Sequence, residues 1–334
     1  MRKTINWQGI EPEIVRVNSD KLSKLESIIK NDYSNINGLV IVRDGYLAYE
    51  KYFNDKGPDD MQHVASVTKS IISALIGIAI EAGYIQSTEQ KVLDFFPEYN
   101  AVDSYKQHIT IRHLLTMTVP YPFEDWHEPL DVLCQQQDWV TYILDSMGNE
   151  GDLGTFKYST AGAHLLSAII TRSTDKSARA FANEHLFKPL GMKEIPDFQM
   201  GAYEFDDLFG KNVKGWVHDP NGISTGGWGL TLTTRDMARF GYLYINNGTW
   251  GNNSILSKNW ITDSTKRNPN NYGFLWWLRE DADLFTYSAI GDGGNIICCI
   301  PQLNMVVAIA SEFMLQPKDR WIFIKEHILP MIHD

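Results

Sequence analysis

Ser66 and Lys69 stand three residues apart in His63-Val-Ala-Ser-Val-Thr-Lys69, a spacing that on a helix stacks a hydroxyl one turn below an amine. A lysine desolvated at the base of a buried helix gives up its proton more readily and can then serve as base toward the adjacent hydroxyl. The serine gains as well. On the first turn its backbone N–H has no helical partner and can point at the oxyanion that forms when a carbonyl is attacked. Spacing alone does not decide the matter: 20 serines and 19 lysines in 334 residues give about one such pair by chance, and three occur. Ser27/Lys30 lies on an amphipathic surface helix beside Lys24 and Glu26, and Ser173/Lys176 lies in the polar run 171–177, so both read as solvated. Only Ser66/Lys69 opens a strongly apolar run, through Ile71, Ile72, Leu75, Ile76 and Ile78. The bland alternative is a serine N-cap followed by an exposed lysine.

Other segments carry possible chemistry. Tyr158-Ser-Thr-Ala-Gly162 puts a tyrosine ahead of a polar pair and a helix, and a tyrosine near a lysine can shuttle protons. Ile290-Gly-Asp-Gly-Gly-Asn295 turns a strand glycine-rich, which marks close approach of a ligand or another backbone, or else a tight turn. Gly222-Ile-Ser224-Thr-Gly226 matches the G-x-S-x-G nucleophile elbow, but no strand leads into it and no strand–helix alternation surrounds it. His63 is close enough to Ser66 to be considered as a base, against the commoner role of a hydrogen-bonded structural histidine. Trp216, Trp228, Trp276 and Trp277 line an aromatic cleft wall or pack the core. The nine histidines show no H-x-x-x-H spacing and the three cysteines no C-x-x-C, so neither metal nor cofactor is expected.

The elements that must position these groups follow from hydrophobic periodicity. Apolar residues at helical spacing mark Asp20 to Lys30, and the apolar run from Ser66 to Gly83 reads as a buried helix with a glycine C-cap. Gly38 to Arg43 and Tyr46 to Phe53 read as strands joined by Asp44-Gly45, the dipeptide of a type I′ hairpin. Helices are expected at Ile111 to Met117, Val132 to Ser146, Ala161 to Thr171 and Ala178 to Leu190, with almost no strands among them. Strands return at Tyr272 to Leu278, Leu284 to Ile290, Ile296 to Ile300 and Met305 to Ala310, before a terminal helix from Arg320 to Ile332. The expected fold class is α+β: an antiparallel sheet built from both chain ends and flanked by helices, with an inserted all-α region. The expected division is a sheet domain of residues 1–87 and 235–334 and a mainly helical domain of residues 88–234.

Composition excludes several classes. Hydrophobic residues at 43%, charged residues at 21% and a mean hydropathy of −0.26 describe a folded globular chain. A net charge of −11 without any basic stretch makes nucleic acid an unlikely partner. No signal peptide or membrane span is read, and Cys134 with the adjacent Cys298 and Cys299 fits reduced thiols in a cytoplasmic protein.

Seven segments in this order resemble the serine β-lactamase and penicillin-binding superfamily, in particular its class C branch with family VIII esterases and 6-aminohexanoate-dimer hydrolases. They are His63 to Lys69, Ile111 to Met117, Tyr158 to Leu166, Leu186 to Met192, Thr225 to Leu230, Tyr272 to Trp277 and Gly291 to Gly294. The resemblance implies that Ser66 is the nucleophile of an acyl-enzyme, Lys69 its activating partner and Tyr158 the group that protonates the leaving group. It implies further that the N–H groups of Ser66 and Gly294 form the oxyanion hole. Two departures bear on substrate: Thr160 stands where β-lactamases carry the asparagine of Tyr-x-Asn, and Gly291-Asp292-Gly293 stands for Lys-Thr-Gly. The first removes an amide that holds an acylamido group. The second replaces a carboxylate-binding cation with an acid, so efficient β-lactam turnover is not expected. Asp292, if it faces the cleft, favours amine-bearing substrates, and Thr160 and Trp228 are further substrate-binding candidates. The expected activity is hydrolysis of a small amide or ester. The rival reading, favoured by those same departures, is a non-catalytic binding or regulatory protein that keeps the fold.

Overall fold

The computed structural model describes residues 9–333 apart from 102, 125, 202–206 and 208–211. Helix α1, Ser19–Asp32, starts where the Asn18 side chain accepts the Lys21 N–H, and it buries Leu22, Leu25 and Ile29 along one stripe. Strands β1 (Ile36–Arg43) and β2 (Tyr46–Tyr52) follow. Asp44 and Gly45 between them have φ of 52° and 82°, the left-handed pair a type I′ turn requires. Strands β3 (Trp277–Asp281), β4 (Leu284–Gly291), β5 (Asn295–Ile300) and β6 (Met305–Ser311) come from the C-terminal third. They join the hairpin in one antiparallel sheet of order β2-β1-β6-β5-β4-β3, so both chain ends build it, as expected.

The sheet is covered on both faces. On one side Val40, Val42, Ala289, Ile297 and Cys299 pack into the larger core with helices α2 (Val67–Glu81), α3 (Thr160–Thr174) and α4 (Thr234–Ile245). On the other, Leu39, Ile41, Cys298 and Ile309 meet α1 and the C-terminal helical segment around Trp321, Phe323 and Ile328. Adjacent Cys298 and Cys299 thus enter different cores, the consequence of strand alternation, and all three cysteines are buried and free. This double coverage explains why β1 is buried along its whole length.

Two expected elements divide. The span from Val132 to Ser146 is interrupted: a short helix Leu130–Cys134 ends, and Trp139–Ser146 begins anew where Asp138 caps the Thr141 N–H. Residues 272–276 are not strand, because Leu275 adopts φ of 60° while its N–H donates to Leu115 O and its carbonyl accepts from Ser70 Oγ. These tertiary bonds override a β-rich local sequence and tie the approach to β3 onto helix α2. Among the described residues no helix is long and apolar enough to cross a membrane.

Candidate active site

Ser66 precedes helix α2 directly, and the residue before it, Ala65, is held at φ of 49°, a left-handed conformation that alanine adopts only under constraint. The Ser66 side chain does not cap the helix. Its Oγ instead accepts from Lys69 Nζ at 2.9 Å. Lys69 is 1% exposed, although a lysine is among the last residues expected in a core. What makes this tolerable is a complete set of partners: Nζ also reaches Thr160 Oγ1 at 3.1 Å and Gly227 O at 2.9 Å, and it lies 4.8 Å from the centre of the Tyr158 ring.

That arrangement has a specific chemical content. An uncharged amine has two hydrogens and one lone pair, and Gly227 O can only accept. Ser66 Oγ, Thr160 Oγ1 and Gly227 O match the three hydrogens of an ammonium, and loss of the hydrogen on Ser66 Oγ would leave the nitrogen lone pair facing that hydroxyl.

The partners come from three separate segments. Tyr158 and Thr160 flank Ser159, whose hydroxyl accepts the Gly162 N–H to begin helix α3. Glu128 completes that helix start from outside: its carboxylate accepts the N–H groups of Thr160 and of Ala161, the latter at 2.7 Å, and the Ser159 hydroxyl at 3.3 Å. Burial pushes the Glu128 carboxyl above its ordinary range, opposed by the two backbone donors and by the charge of Lys69. Gly227 belongs to the loop between Thr225 and Gly229, next to Trp228, which is buried and stacked on Trp139 at 5.6 Å between ring centres.

Ser66, Tyr158, Thr160, Glu128, Gly227 and Trp228 all line one cleft of about 1110 Å³. Its opposite wall is the end of β4. Strand β3 begins at Trp277, opposite Ser288, so Ala289 to Gly291 run on past its first residue toward Ser66. A side chain at Gly291 would place its Cβ 2.2 Å from Val64 O and 3.1 Å from Ser66 N, so this position admits only glycine. The α-carbon of Gly294 lies instead against the Arg320 guanidinium, where a Cβ would fall 2.7 Å from Cζ. Arg320 is buried, which pushes its guanidinium down to about 10, and it donates to Gly294 O, to Asn35 Oδ1 at 2.7 Å and to Ser311 Oγ. Asn35 Nδ2 in turn holds Gly293 O at 2.6 Å. The glycine turn is therefore clamped from behind by Asn35 and Arg320 and closes on Ser66 through Gly291. Asp292 is exposed at the cleft rim.

The Beta-lactamase family profile matches residues 31–321, nearly the whole chain. The chain belongs to the beta-lactamase family. Within it, a 6-aminohexanoate-dimer hydrolase of Paenarthrobacter ureafaciens is 22% identical over 320 residues, covering 87% of this chain and 76% of that protein. Among solved structures, a penicillin binding protein from Bacillus halodurans superposes with a TM-score of 0.69 at 16% identity, covering 90% of this chain and 99% of its own. A D-stereospecific amidohydrolase from Streptomyces sp. gives 0.65 at 15% identity, covering 93% and 98%. The beta-lactamase-family fold thus matches the antiparallel sheet with helices on both faces described above.

Ser224 is fully buried, its Oγ accepts the Arg179 N–H at 3.2 Å and its carbonyl accepts from Ser167, and it does not line this cleft. His63 Nε2 accepts the Gly229 N–H at 3.1 Å, which anchors the far end of the loop carrying Gly227. Burial pushes the His63 imidazole down to about 4, so it is neutral at neutral pH. Because its folded value lies below its unfolded value of 6.5, the stability it contributes is present above 6.5 and is lost as pH falls toward 4. Unfolding free energies from urea titrations between about pH 7 and about pH 4.5 should therefore show wild type losing up to about 3 kcal/mol more than His63→Gln, which keeps an acceptor for Gly229 but binds no proton.

Glu128, Gly227 O, Asn35 and Arg320 are the site's contributors that the sequence reading did not single out. Gly227 lies in the segment Thr225 to Leu230, a family landmark, but its carbonyl's role has no residue-type signature. Glu128, 30 residues before Tyr158, and the Asn35/Arg320 pair, 285 residues apart, carry no local signal at all.

Proposed function

We propose that this chain is a serine hydrolase that cleaves a small amide or ester through an acyl-Ser66 intermediate. The observation that carries the reading is Lys69 Nζ, buried, held by two acceptors and 2.9 Å from Ser66 Oγ at the wall of an open cleft. In the first half-reaction Ser66 Oγ forms a bond to the substrate carbonyl carbon while its proton passes to Lys69 Nζ. The oxyanion is met by the Ser66 N–H and by the Gly294 N–H of the glycine turn that opens at Gly291. Collapse breaks the bond to the leaving group, which takes a proton from the Tyr158 hydroxyl, and Lys69 restores that proton to Tyr158. Water then adds to the acyl carbon as Tyr158 and Lys69 relay its proton, and Ser66 leaves as the neutral hydroxyl.

The substrate follows from the surroundings. Thr160 spends its hydroxyl on Lys69 and supplies no amide to an acylamido group, and Asp292 sets a negative charge at the rim, so amine-bearing amides and esters are favoured over β-lactam carboxylates. The free, buried cysteines support a cytoplasmic setting. The test is acid quenching within the first turnovers of 4-nitrophenyl acetate, followed by peptide mass analysis. An acetyl group on the peptide containing Ser66, formed at the rate of the nitrophenol burst, supports the reading; steady hydrolysis without any acylated peptide contradicts it.

A further inference from the structure

The cleft does not stop at Ser66. Strand alternation puts Ala289 on the α2 face of the sheet, among the larger core, and so turns the next side chain, Ile290, to the opposite face. There the cleft continues around the end of β4 as a second arm, between Ile290 and the loop that leaves β6, through Phe313, Met314 and Leu315. The main chain of that loop touches the glycine turn: a Cβ on Gly293 would fall 2.9 Å from the α-carbon of Phe313. The two arms are thus one continuous surface, joined at the turn that closes on Ser66.

The cleft exposes large apolar side chains to water, beside charged ones from Arg279, Glu280, Lys318 and Asp319. Among the described residues eight large hydrophobic side chains are exposed, and four of them line this cleft: Trp126, Ile290, Met314 and Leu315, the last 79% exposed. Scattered single exposures are ordinary, but this concentration in one concave surface beside a nucleophile is not. We infer that the second arm binds an apolar alkyl or aryl chain attached to the scissile amide or ester, so that among small amides and esters the enzyme favours those that carry a longer chain. This inference rests on Ser66 being the nucleophile. Covering Ile290, Met314 and Leu315 removes apolar surface from water in proportion to chain length, whereas the polar contacts at Ser66, Lys69 and Tyr158 are common to short and long substrates.

The test compares the second-order rates at which ethyl and n-octyl fluorophosphonates modify the full-length protein, read by intact mass and by the modified peptide. The octyl to ethyl ratio is expected to be about tenfold or more for wild type, since each methylene that is only partly covered contributes about twofold. In the double variant Met314→Ser/Leu315→Ser the ratio should fall below about threefold, and in Ile14→Ser, which removes an exposed apolar residue outside the cleft, it should stay at the wild-type value. A wild-type ratio near one, or a ratio that the double variant leaves unchanged, overturns the inference while leaving the hydrolase reading intact. Failure of both probes to modify Ser66 removes the hydrolase reading, and the inference with it.

Discussion

Replacement of Lys69 by methionine is expected to lower kcat/KM for an activated ester by about a thousandfold. The thioether occupies much of the same volume but offers no basic lone pair, so the Ser66 hydroxyl must lose its proton to water. The variant also removes the donor that Thr160 Oγ1 and Gly227 O share, yet Thr160 carries its own hydroxyl hydrogen and can partly replace it. The loss of rate should therefore greatly exceed any loss of folding. Steady-state kinetics beside a thermal melt separate the two: a rate within tenfold of wild type, on a folded protein, would mean that Lys69 is a structural cation and not the base.

The second large effect is on the fold itself. Gly226 lies against the first turn of helix α3, where a Cβ would fall 2.0 Å from Ala163 O, 2.5 Å from Ala163 C and 2.8 Å from the α-carbon of His164. All three are backbone atoms of a helix that is buried over most of its length, so no flexible side chain can yield. Gly226→Ala must push the loop off the helix, and with it the neighbouring Gly227 carbonyl that holds Lys69. A loss of about 3 kcal/mol or more in urea denaturation is expected, together with loss of activity. Gly201→Ala, where a Cβ meets nothing within 4 Å among the described residues, should stay within about 0.5 kcal/mol of wild type. Near-equal stabilities of the two variants would contradict the packing described for the Thr225–Gly229 loop.

What the sequence disclosed and what it withheld follow from the range of the interactions concerned. Ser66 and Lys69 were legible because they are neighbours on one helix turn, and the apolar run behind them announced that the turn is buried. The strands were legible as alternating or continuous apolar runs, and Asp44-Gly45 carried its turn type in its own residues. Tyr158 was legible only through its family resemblance, since nothing local distinguishes it from a core tyrosine. The register of the glycine run was not legible. Glycines carry no side chain to report which face they occupy, so nothing in the run announces that Gly291 abuts Ser66 while Gly294 backs onto Arg320. Glu128 and Arg320 escaped for a different reason: each acts on a main-chain group far away along the chain, a helix start in one case and the Gly294 carbonyl in the other. Such contacts are created by the fold and leave no periodicity behind. The irregular approach to β3 belongs here too, because the bonds from Leu275 to Leu115 and Ser70 exist only once α2 is in place.

A hydrolase that works through Ser66 carries one serine activated for nucleophilic attack. Intact mass after incubation with a fluorophosphonate, compared between wild type, Ser66→Ala and Ser224→Ala, tests it most directly. A single adduct on wild type and on Ser224→Ala, absent from Ser66→Ala, is the predicted result. An adduct that survives in Ser66→Ala, or no adduct on wild type at all, would contradict it and favour a binding protein on the same fold.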